Sequence, residues 1–348
     1  MTVHAGDVIS LMNELAPQEL AEKWDHPGLQ IGNPDRPVDK VLVSLDVTES
    51  NVDYAIRQGI SMIISHHPFL FHPIQSLDLR TAKGRMIEKL IKHDILTFAA
   101  HTNLDTASGG VNDALSAALD LSDLEGLVPG KKYKSFKIAA YMSAVKARQF
   151  HHELQVKYPE ESGHFYLLDD EDDFTAEEKM EFNISEKALP AVLSDLHRIC
   201  GPVHYDIYPL ENNGKREFMG RIGSLPSPLP GRKALEYVKE KLGIPVLRFC
   251  GNTQITVKKV AVLGGAGSEF AALAKARGAD LYVTGDLKYH EAQDAASIGL
   301  LVADAGHFYT ERVIISRLAG ELRKEAKVRG WDISIIEDSS AVDIFGQL

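Results

Sequence analysis

Two adjacent histidines, His66 and His67, stand at the end of an apolar run in the segment SMIISHHPFLFHP. Other apolar runs are followed by polar pairs whose members lie four residues apart. These pairs are His101 and Asp105, Asp286 and His290, and His307 and Glu311. Imidazole and carboxylate together suit a borderline divalent cation such as zinc, iron or manganese. The residue types therefore indicate metal chemistry, provided that the fold brings these residues together.

The apolar runs that precede these residues have the pattern of buried strands separated by amphipathic helices. KVLVSLDV, SMIIS and ILTFAA are strand-like, and TESNVDYAIRQG and AKGRMIEKLIKH carry apolar residues at helical spacing. The pattern returns from residue 258 onward, in VKKVAVLGG, ADLYVTGD, LLVADAGH and WDISII. Such alternation predicts an α/β fold with mostly parallel sheets and flanking helices. The two stretches are either two related lobes or two halves of one domain.

Residues 132–216 have a different pattern, which is strand, helix, strand, strand, helix, strand. This order is the split βαβ, or ferredoxin-like, plan. The sequence therefore predicts an inserted α+β ferredoxin-like domain at 132–216, within an α/β domain formed by 1–131 and 217–348. The acidic run DDEDDFTAEE is interpreted as a solvated loop of this insert. GSLPSPLPG, residues 223–231, is interpreted as a proline-rich linker.

The ends of the predicted strands are the expected place for a site. In open α/β sheets, ligands bind beyond the carboxyl ends of the strands, so polar residues there converge on one edge. Any one histidine pair could instead be a satisfied core pair, but several on matching strand ends favour metal. The predicted metal ligands are His66, His67, His101, Asp105, His307 and Glu311. Because one ion needs only three or four ligands, we expect two divalent metal ions per subunit.

Three further polar residues at strand ends have no ligand role in this scheme. Asp46, Asp286 and His290 are candidate catalytic residues, since each could serve as a general base. Asp46 could equally cap the helix that follows it. The glycine-rich segment GGAGSEF, residues 264–270, could bind a phosphate at a helix N-terminus or simply form a tight turn.

Composition limits the partners. The chain has 38 Lys and Arg residues against 49 Asp and Glu residues, a net charge of −11, so no nucleic-acid partner is expected. No long uncharged apolar stretch predicts a membrane span, and the N-terminal sequence lacks a signal-peptide pattern. The two cysteines, Cys200 and Cys250, are too few for a disulfide scaffold. A cytoplasmic location is therefore expected.

The set of motifs resembles a known family over residues 1–128 and 218–348. The motifs, in order, are KWDHPGLQIG, SLDVT, ISHHPFLF, AAHTNLD, VLGGAGSEF, YVTGDLKYHEAQDA and DAGHFYTE. They resemble the dinuclear-metal-centre proteins of the YqfO/YbgI type, the GTP cyclohydrolase 1 type 2 homologues. The resemblance implies the same six metal ligands, a ferredoxin-like insert as in the longer members, and a toroidal homohexamer whose metals face an internal cavity.

Two functions stay open at this stage. One is a metal-dependent hydrolase acting on a nucleotide such as GTP, as the resemblance implies, with a metal-bound water as the nucleophile. The other is a non-catalytic metal-handling or regulatory scaffold protein. Covalent catalysis has no candidate, because neither cysteine lies at a strand end with the candidate ligands and no G-x-S-x-G motif occurs.

Overall fold

The computed structural model describes residues 2–161, 166–168 and 178–346. The chain divides into two compact units. The larger unit consists of Met1–Gly130 and Glu217–Leu348, and the smaller unit is Lys131–Arg216. Of the acidic run that was interpreted as a solvated loop, residues 169–177 lie outside the described residues.

The first part of the larger unit alternates helices and strands. Its elements are α1 (Ala5–Leu15), β1 (Gly28–Ile31), β2 (Lys40–Ser44), α2 (Glu49–Gln58), β3 (Met62–Ser65), α3 (Ala82–Lys92), β4 (Leu96–Ala99), α4 (Thr102–Thr106), α5 (Val111–Ala118) and β5 (Ser122–Lys132), with a 3-10 helix at Gln18–Leu20. Local signals fix the ends of α2. The Thr48 hydroxyl accepts a hydrogen bond from the Asn51 N–H at its start, and Gly59 ends it with φ 62°.

The smaller unit has the predicted ferredoxin-like order of elements. They are β6 (Ser135–Met142), α6 (Ala144–Lys157), a 3-10 helix (Pro159–Glu161), β7 (Tyr166–Leu168), β8 (Glu178–Ser185), α7 (Leu189–Cys200) and β9 (His204–Leu210). Their strands form an antiparallel sheet in the order β7-β8-β6-β9. Ile138, Phe150, Phe182 and Leu196 are buried in its own apolar core, which is what the split βαβ plan requires.

The second part of the larger unit repeats the alternation. Its elements are β10 (Arg216–Pro230), α8 (Gly231–Leu242), β11 (Arg248–Cys250), β12 (Thr256–Ala266), a 3-10 helix (Ser268–Phe270), α9 (Ala271–Ala276), β13 (Leu281–Gly285), α10 (Tyr289–Ser297), β14 (Leu301–Asp304), α11 (His307–Glu311), α12 (Val313–Arg329) and β15 (Ser334–Glu337). Among the described residues, no helix combines the length and apolar character needed to cross a bilayer.

Two sheets hold the larger unit together. Within the described ranges, one sheet has the strand order β1-β4-β3-β2-β15, and the other has the order β11-β14-β13-β12-β10-β5. In the first sheet, β4, β3, β2 and β15 run parallel. In the second, β12, β13 and β14 run parallel. The predicted α/β fold with mostly parallel sheets is confirmed, and both sheets belong to one unit because each takes strands from both parts of the chain.

The predicted proline-rich linker at 223–231 is wrong, because most of this segment is the end of strand β10. Ser224 pairs with Lys259 and Leu229 pairs with Val257 of β12, and the register shifts between these pairs. Pro226 lies within that shift, where its missing N–H costs no ladder hydrogen bond. Proline therefore marks an irregularity in this strand and not its absence.

Candidate metal centre

The site begins at the carboxyl end of β3, a strand whose residues are all buried. His66 is the next residue, and its ring is 1% exposed. Its Nδ1 lies 2.8 Å from the carbonyl oxygen of Ala100, which can only accept, so Nδ1 is the protonated nitrogen that donates. The Nε2 atom of His66 is therefore left as a lone-pair donor for another group.

His67 contacts carboxylates through both ring nitrogens. Its Nδ1 lies 2.8 Å from Asp46 Oδ1, and its Nε2 lies 2.9 Å from Glu311 Oε2. Burial opposes a charge on this ring, but the hydrogen bonds to Asp46 and Glu311 prevail and raise the pKa of His67 to about 10. The two carboxylates thus favour a positive charge at this ring, and a metal cation bound to Nε2 would supply that charge in place of the proton.

The carboxyl end of β4 supplies His101, which directly precedes the short helix α4. His101 Nδ1 lies 3.0 Å from Asp25 Oδ1, and Asp25 also accepts hydrogen bonds from the N–H and hydroxyl of Thr102. Although burial raises it, these hydrogen bonds from His101 and Thr102 bring the pKa of Asp25 down to about 2. The ionised carboxylate fixes the ring of His101. Sequence reasoning missed Asp25, although it stands in the quoted motif KWDHPGLQIG.

Asp105 lies one helical turn after His101, because HTNLD leads into α4. The side-chain oxygen Oδ1 of Asp105 lies 3.7 Å from His66 Nε2. Both atoms are buried, and neither has a hydrogen-bond partner among the described residues. Burial raises the pKa of Asp105 to about 7 despite the nearby His66. An unpaired buried nitrogen facing an unpaired buried oxygen is costly unless a third group joins them.

The second sheet contributes His307 and Glu311 after β14. They lie one turn apart on α11, on one face of the helix, as their spacing predicted. His307 Nδ1 lies 2.8 Å from Asp286 Oδ2, and its Nε2 lies 3.1 Å from Glu311 Oε2. The hydrogen bond to Glu311, with that to Asp286, raises the pKa of His307 to about 9. Asp286 reaches His307 from a left-handed backbone (φ 55°), a strained conformation for a non-glycine residue.

Glu311 lies at the centre of the cluster and is 3% exposed. Its Oε1 lies 3.6 Å from His66 Nε2, and its Oε2 faces His67 and His307. Burial favours the neutral acid, but His66 and the hydrogen bonds from the imidazoles hold the pKa of Glu311 well below its usual range. The two oxygens of the ionised carboxylate therefore face different histidines, with Oε1 toward His66 and Oε2 toward His67 and His307.

Gly265 makes room for that carboxylate. A Cβ atom at this position would overlap Glu311 Oε1, and the backbone is left-handed with φ 67°. The N–H groups of the turn are already used, since Gly264 donates to Asn112 Oδ1 and Gly265 donates to Thr310 Oγ1, both at 3.0 Å. The tight-turn interpretation of GGAGSEF therefore fits better than phosphate binding.

The three predicted catalytic residues occupy different places. Asp46 and Asp286 are hydrogen-bonded to the Nδ1 atoms of His67 and His307, where each orients an imidazole. His290 lies apart from the cluster, exposed on α10, with its ring centroid 5.4 Å from that of Tyr289. The structure therefore brings together all six predicted ligands with Asp46 and Asp286, and leaves His290 outside.

Several overlapping groups in this cluster could hold a metal ion, judged over the described residues. Within each group, the ligand atoms lie within 4.8 Å of one another. The groups are His66, His67 and His101; His67, His307 and Glu311; and His66, Asp105 and Glu311. In tetrahedral coordination with bonds of about 2.0–2.1 Å, neighbouring ligand atoms lie roughly 3.3 Å apart. The spacings of 3.6 and 3.7 Å around His66 Nε2 are close to that value, so the residues fit a metal.

Fold and site together define an α/β protein with a buried histidine–carboxylate cluster capable of holding metal. The chain belongs to the Duf34/NIF3 (NGG1p interacting factor 3) family, whose model matches residues 3–341. It is similar to a "GTP cyclohydrolase 1 type 2 homolog" of Halalkalibacterium halodurans, with 35% identity over 97% of each chain. A relative of the same description from Bacillus subtilis is 35% identical, over 99% of this chain and 98% of its own.

Solved structures agree with this assignment. A Bacillus cereus protein related to NIF3 matches with a TM-score of 0.92 and 34% identity, covering 100% of both chains. The Staphylococcus aureus protein SA1388 matches with a TM-score of 0.82 and 28% identity, over 100% of this chain and 99% of its own. The whole chain, including the smaller unit, therefore has counterparts of known structure.

Proposed function

We propose that this protein binds two divalent metal ions through His66, His67, His101, Asp105, His307 and Glu311. The observation that carries the proposal is the pair of unpaired buried atoms, His66 Nε2 and Asp105 Oδ1, which face each other beside Glu311. A divalent cation bound between them would give both atoms a partner at once. The ligand set suits zinc, iron or manganese.

Two subsets of the cluster would hold the ions, and Glu311 belongs to both. They are His66 and Asp105 with Glu311, and His67 and His307 with Glu311. One ligand nitrogen each of His101, His66 and His67 lies within 4.8 Å of the others, so His101 could complete the shell of either ion. The partners at Nδ1 hold the imidazoles with Nε2 toward the ions, an arrangement common to histidine ligands.

Elemental analysis of protein purified without chelator tests the proposal. We expect about two divalent ions per chain in the natural protein, and about one or fewer in His307→Ala. His290→Ala is the matched control, because it removes an imidazole near the same sheet end but outside the cluster, and it should keep both ions. Equal metal content in all three proteins would refute the assignment.

We further propose that the protein is a metal-dependent hydrolase, with a nucleotide such as GTP as a candidate substrate. The description of its relatives supports this class. Divalent ions held by these residues would supply the chemistry of water activation, because a coordinated cation lowers the pKa of water toward neutral pH. The chain contributes orientation, since Asp25, Asp46 and Asp286 each fix one histidine ring. Metal-loaded protein should release formate or phosphate from one member of a nucleotide panel, and Glu311→Gln should not.

The alternative is a non-catalytic metal-handling or regulatory scaffold. One observation favours it: Asp46 and Asp286 are hydrogen-bonded to histidines, and His290 belongs to none of the candidate metal groups, so none of the three predicted general bases is free beside the cluster. A metal-loaded protein that is inert toward the whole panel would support this alternative.

We also propose a cytoplasmic homohexamer, on the family resemblance, and light scattering should then give six times the chain mass.

A further inference from the structure

Two exposed aromatic rings border the metal centre on the side of His101. The ring centroids of Trp24 and Phe71 lie 6.0 Å apart, and they lie 5.9 and 6.1 Å from that of His101. All three contacts are edge-to-face. Trp24 is nevertheless 57% exposed and Phe71 is 45% exposed. We call Trp24 and Phe71 the aromatic wall.

The backbone beside each ring of the wall is fixed. Asp25, the residue after Trp24, is buried and holds both His101 and Thr102 through hydrogen bonds. On the other side, the N–H of Leu70, the residue before Phe71, donates to the side-chain oxygen of Gln30 at 3.1 Å. The hydrogen bonds that position a proposed metal ligand therefore also position Trp24. The backbone next to both rings is therefore held without a ligand, which would lower the entropic cost of binding.

A single exposed apolar side chain needs no explanation, because much of any protein surface is apolar. This pair differs, because both rings contact a histidine of a cluster that holds unpaired buried polar atoms. A few convergent polar groups beside an apolar aromatic surface are the usual composition of a small-molecule site. The polar part would anchor a ligand, and the wall would select its shape.

We propose that the aromatic wall is a stacking subsite for a planar aromatic ring whose attached anionic oxygen binds at the metal centre. The inference rests on the proposed metal function and narrows the class of ligand. Anionic oxygen is a suitable ligand for the metals named above. The planes of Trp24 and Phe71 are inclined at 61°, so a flat ring can stack on the face of one of them and contact the other at an angle. A saturated ring of equal carbon number cannot lie flat against either. The ligand class is thus an aromatic acid, phosphate ester or phenolate, and not an aliphatic one.

The loop after Phe71 suggests one competing use of the wall. Ile74, Leu77 and Leu79 are 44%, 50% and 46% exposed, so this surface could instead be covered by a second copy of the chain. The contacts of both rings with His101 favour the ligand, because an interface does not require rings placed against a proposed metal ligand.

The test compares two carboxylic acids by calorimetry on zinc-loaded protein whose metal content is measured before and after titration. 2-Naphthoate is flat, and decahydro-2-naphthoate has the same carbon skeleton without aromaticity. We expect naphthoate to bind about tenfold more tightly. Trp24→Ala and Phe71→Leu should each reduce that preference several-fold with unchanged zinc, and Trp24→Tyr should keep most of it. Trp331→Ala removes the other tryptophan of the chain and should leave the preference intact.

The outcomes separate this inference from the metal proposal. Equal affinity for the two acids in zinc-loaded protein, or a preference that survives Trp24→Ala, would overturn the stacking subsite while metal binding stands. A change in oligomer mass in Trp24→Ala with the preference intact would also overturn it, and would assign the wall to an interface. A natural protein that takes up no zinc would overturn the metal proposal, and this inference with it.

Discussion

Two buried aspartates in this molecule are held in opposite ways. Asp195 of the smaller unit accepts hydrogen bonds from Lys157 at 2.5 Å, from Tyr158 at 2.8 Å and from Arg198. The hydrogen bond from Lys157, followed by those from Tyr158 and Arg198, lowers the pKa of Asp195 to about 2 against the effect of burial. Asp105 of the larger unit has no hydrogen bond to its Oδ1 among the described residues, and burial raises its pKa to about 7.

The difference separates a structural carboxylate from one that is arranged for a ligand. Asp195 has its full set of donors within its own unit, so it stabilises the fold and needs nothing further. Asp105 faces an equally unpaired His66 Nε2, beside a carboxylate that already contacts two other imidazoles. Burial alone does not indicate function. A buried polar atom that has no hydrogen-bond partner and lies among metal-binding residue types does indicate a function.

The largest effect is expected from Glu311→Gln. Because Glu311 belongs to two of the candidate metal groups, an amide in its place would remove a charged ligand from both. We expect metal content to fall from about two ions per chain to less than about half an ion. Asp195→Asn removes a carboxylate of similar burial and should leave the metal content unchanged. Elemental analysis measures the metal content of both variants. Equal metal content in the two would contradict the distinction between the two sites.

Gly265→Ala should have the next largest effect. The added Cβ would displace the Glu311 carboxylate, so we expect zinc affinity to fall at least about tenfold, since each factor of ten needs only about 1.4 kcal/mol. Gly59→Ala is the matched control, because Gly59 has a similar φ of 62° but nothing within 4 Å of the added atom. Competitive zinc titration measures both variants. Equal losses would mean that backbone strain, and not displacement of Glu311, is responsible.

Asp195→Asn should have a smaller effect than the two preceding variants, and it should act on the stability of the smaller unit and not on metal binding. The folded pKa of about 2 lies below the unfolded value of 3.8, so the stabilisation is present above about pH 4 and is lost as pH falls toward 2. Because the side chains of Lys157 and Arg198 are half-exposed and solvent screens their charges, the variant should lower the free energy of unfolding of the smaller unit by only about 1 kcal/mol at pH 7, and by less at pH 2.5. Hydrogen exchange of the β6 amides measures this. A deficit that is independent of pH would point to lost packing instead.

Removal of the smaller unit should have no effect on metal content. All six proposed ligands and their Nδ1 partners belong to the larger unit. The ends to be joined are close, because a Cβ atom on Gly130 would lie 2.9 Å from the carbonyl oxygen of Glu217. We therefore propose that 131–216 is an independently folding insert that a short glycine–serine linker can replace. Aggregation of the shortened chain, or loss of its metal, would contradict this.

The grouping of the six candidate ligands followed from sequence, because strand ends can be read from apolar runs and parallel strands end at one edge. The spacing of His307 and Glu311 also placed them on one helical face. Their roles as ligands stay predictions. Asp25 was missed because it lies in a loop before β1 and reaches a histidine 76 residues away, a contact that no local periodicity encodes.

Other details were inaccessible for a related reason. Pro226 suggested a linker, but the register shift that accommodates it depends on the partner strand β12. The sequence identified Gly265 as a turn residue. Its other role, leaving space for the Glu311 carboxylate, depends on where Glu311 Oε1 lies in the fold. Periodicity reports which face of an element is buried. It does not report which distant side chain occupies the space beside a given residue.

The most direct test of the central claim is anomalous X-ray diffraction from crystals of zinc-loaded protein, recorded above and below the zinc absorption edge. The account predicts two anomalous peaks about 3.5–4 Å apart, one on each side of the Glu311 carboxylate. One should lie within bonding distance of His66 and Asp105, and the other within bonding distance of His67 and His307. A single peak, or peaks that do not contact Glu311, would contradict a dinuclear centre at this site.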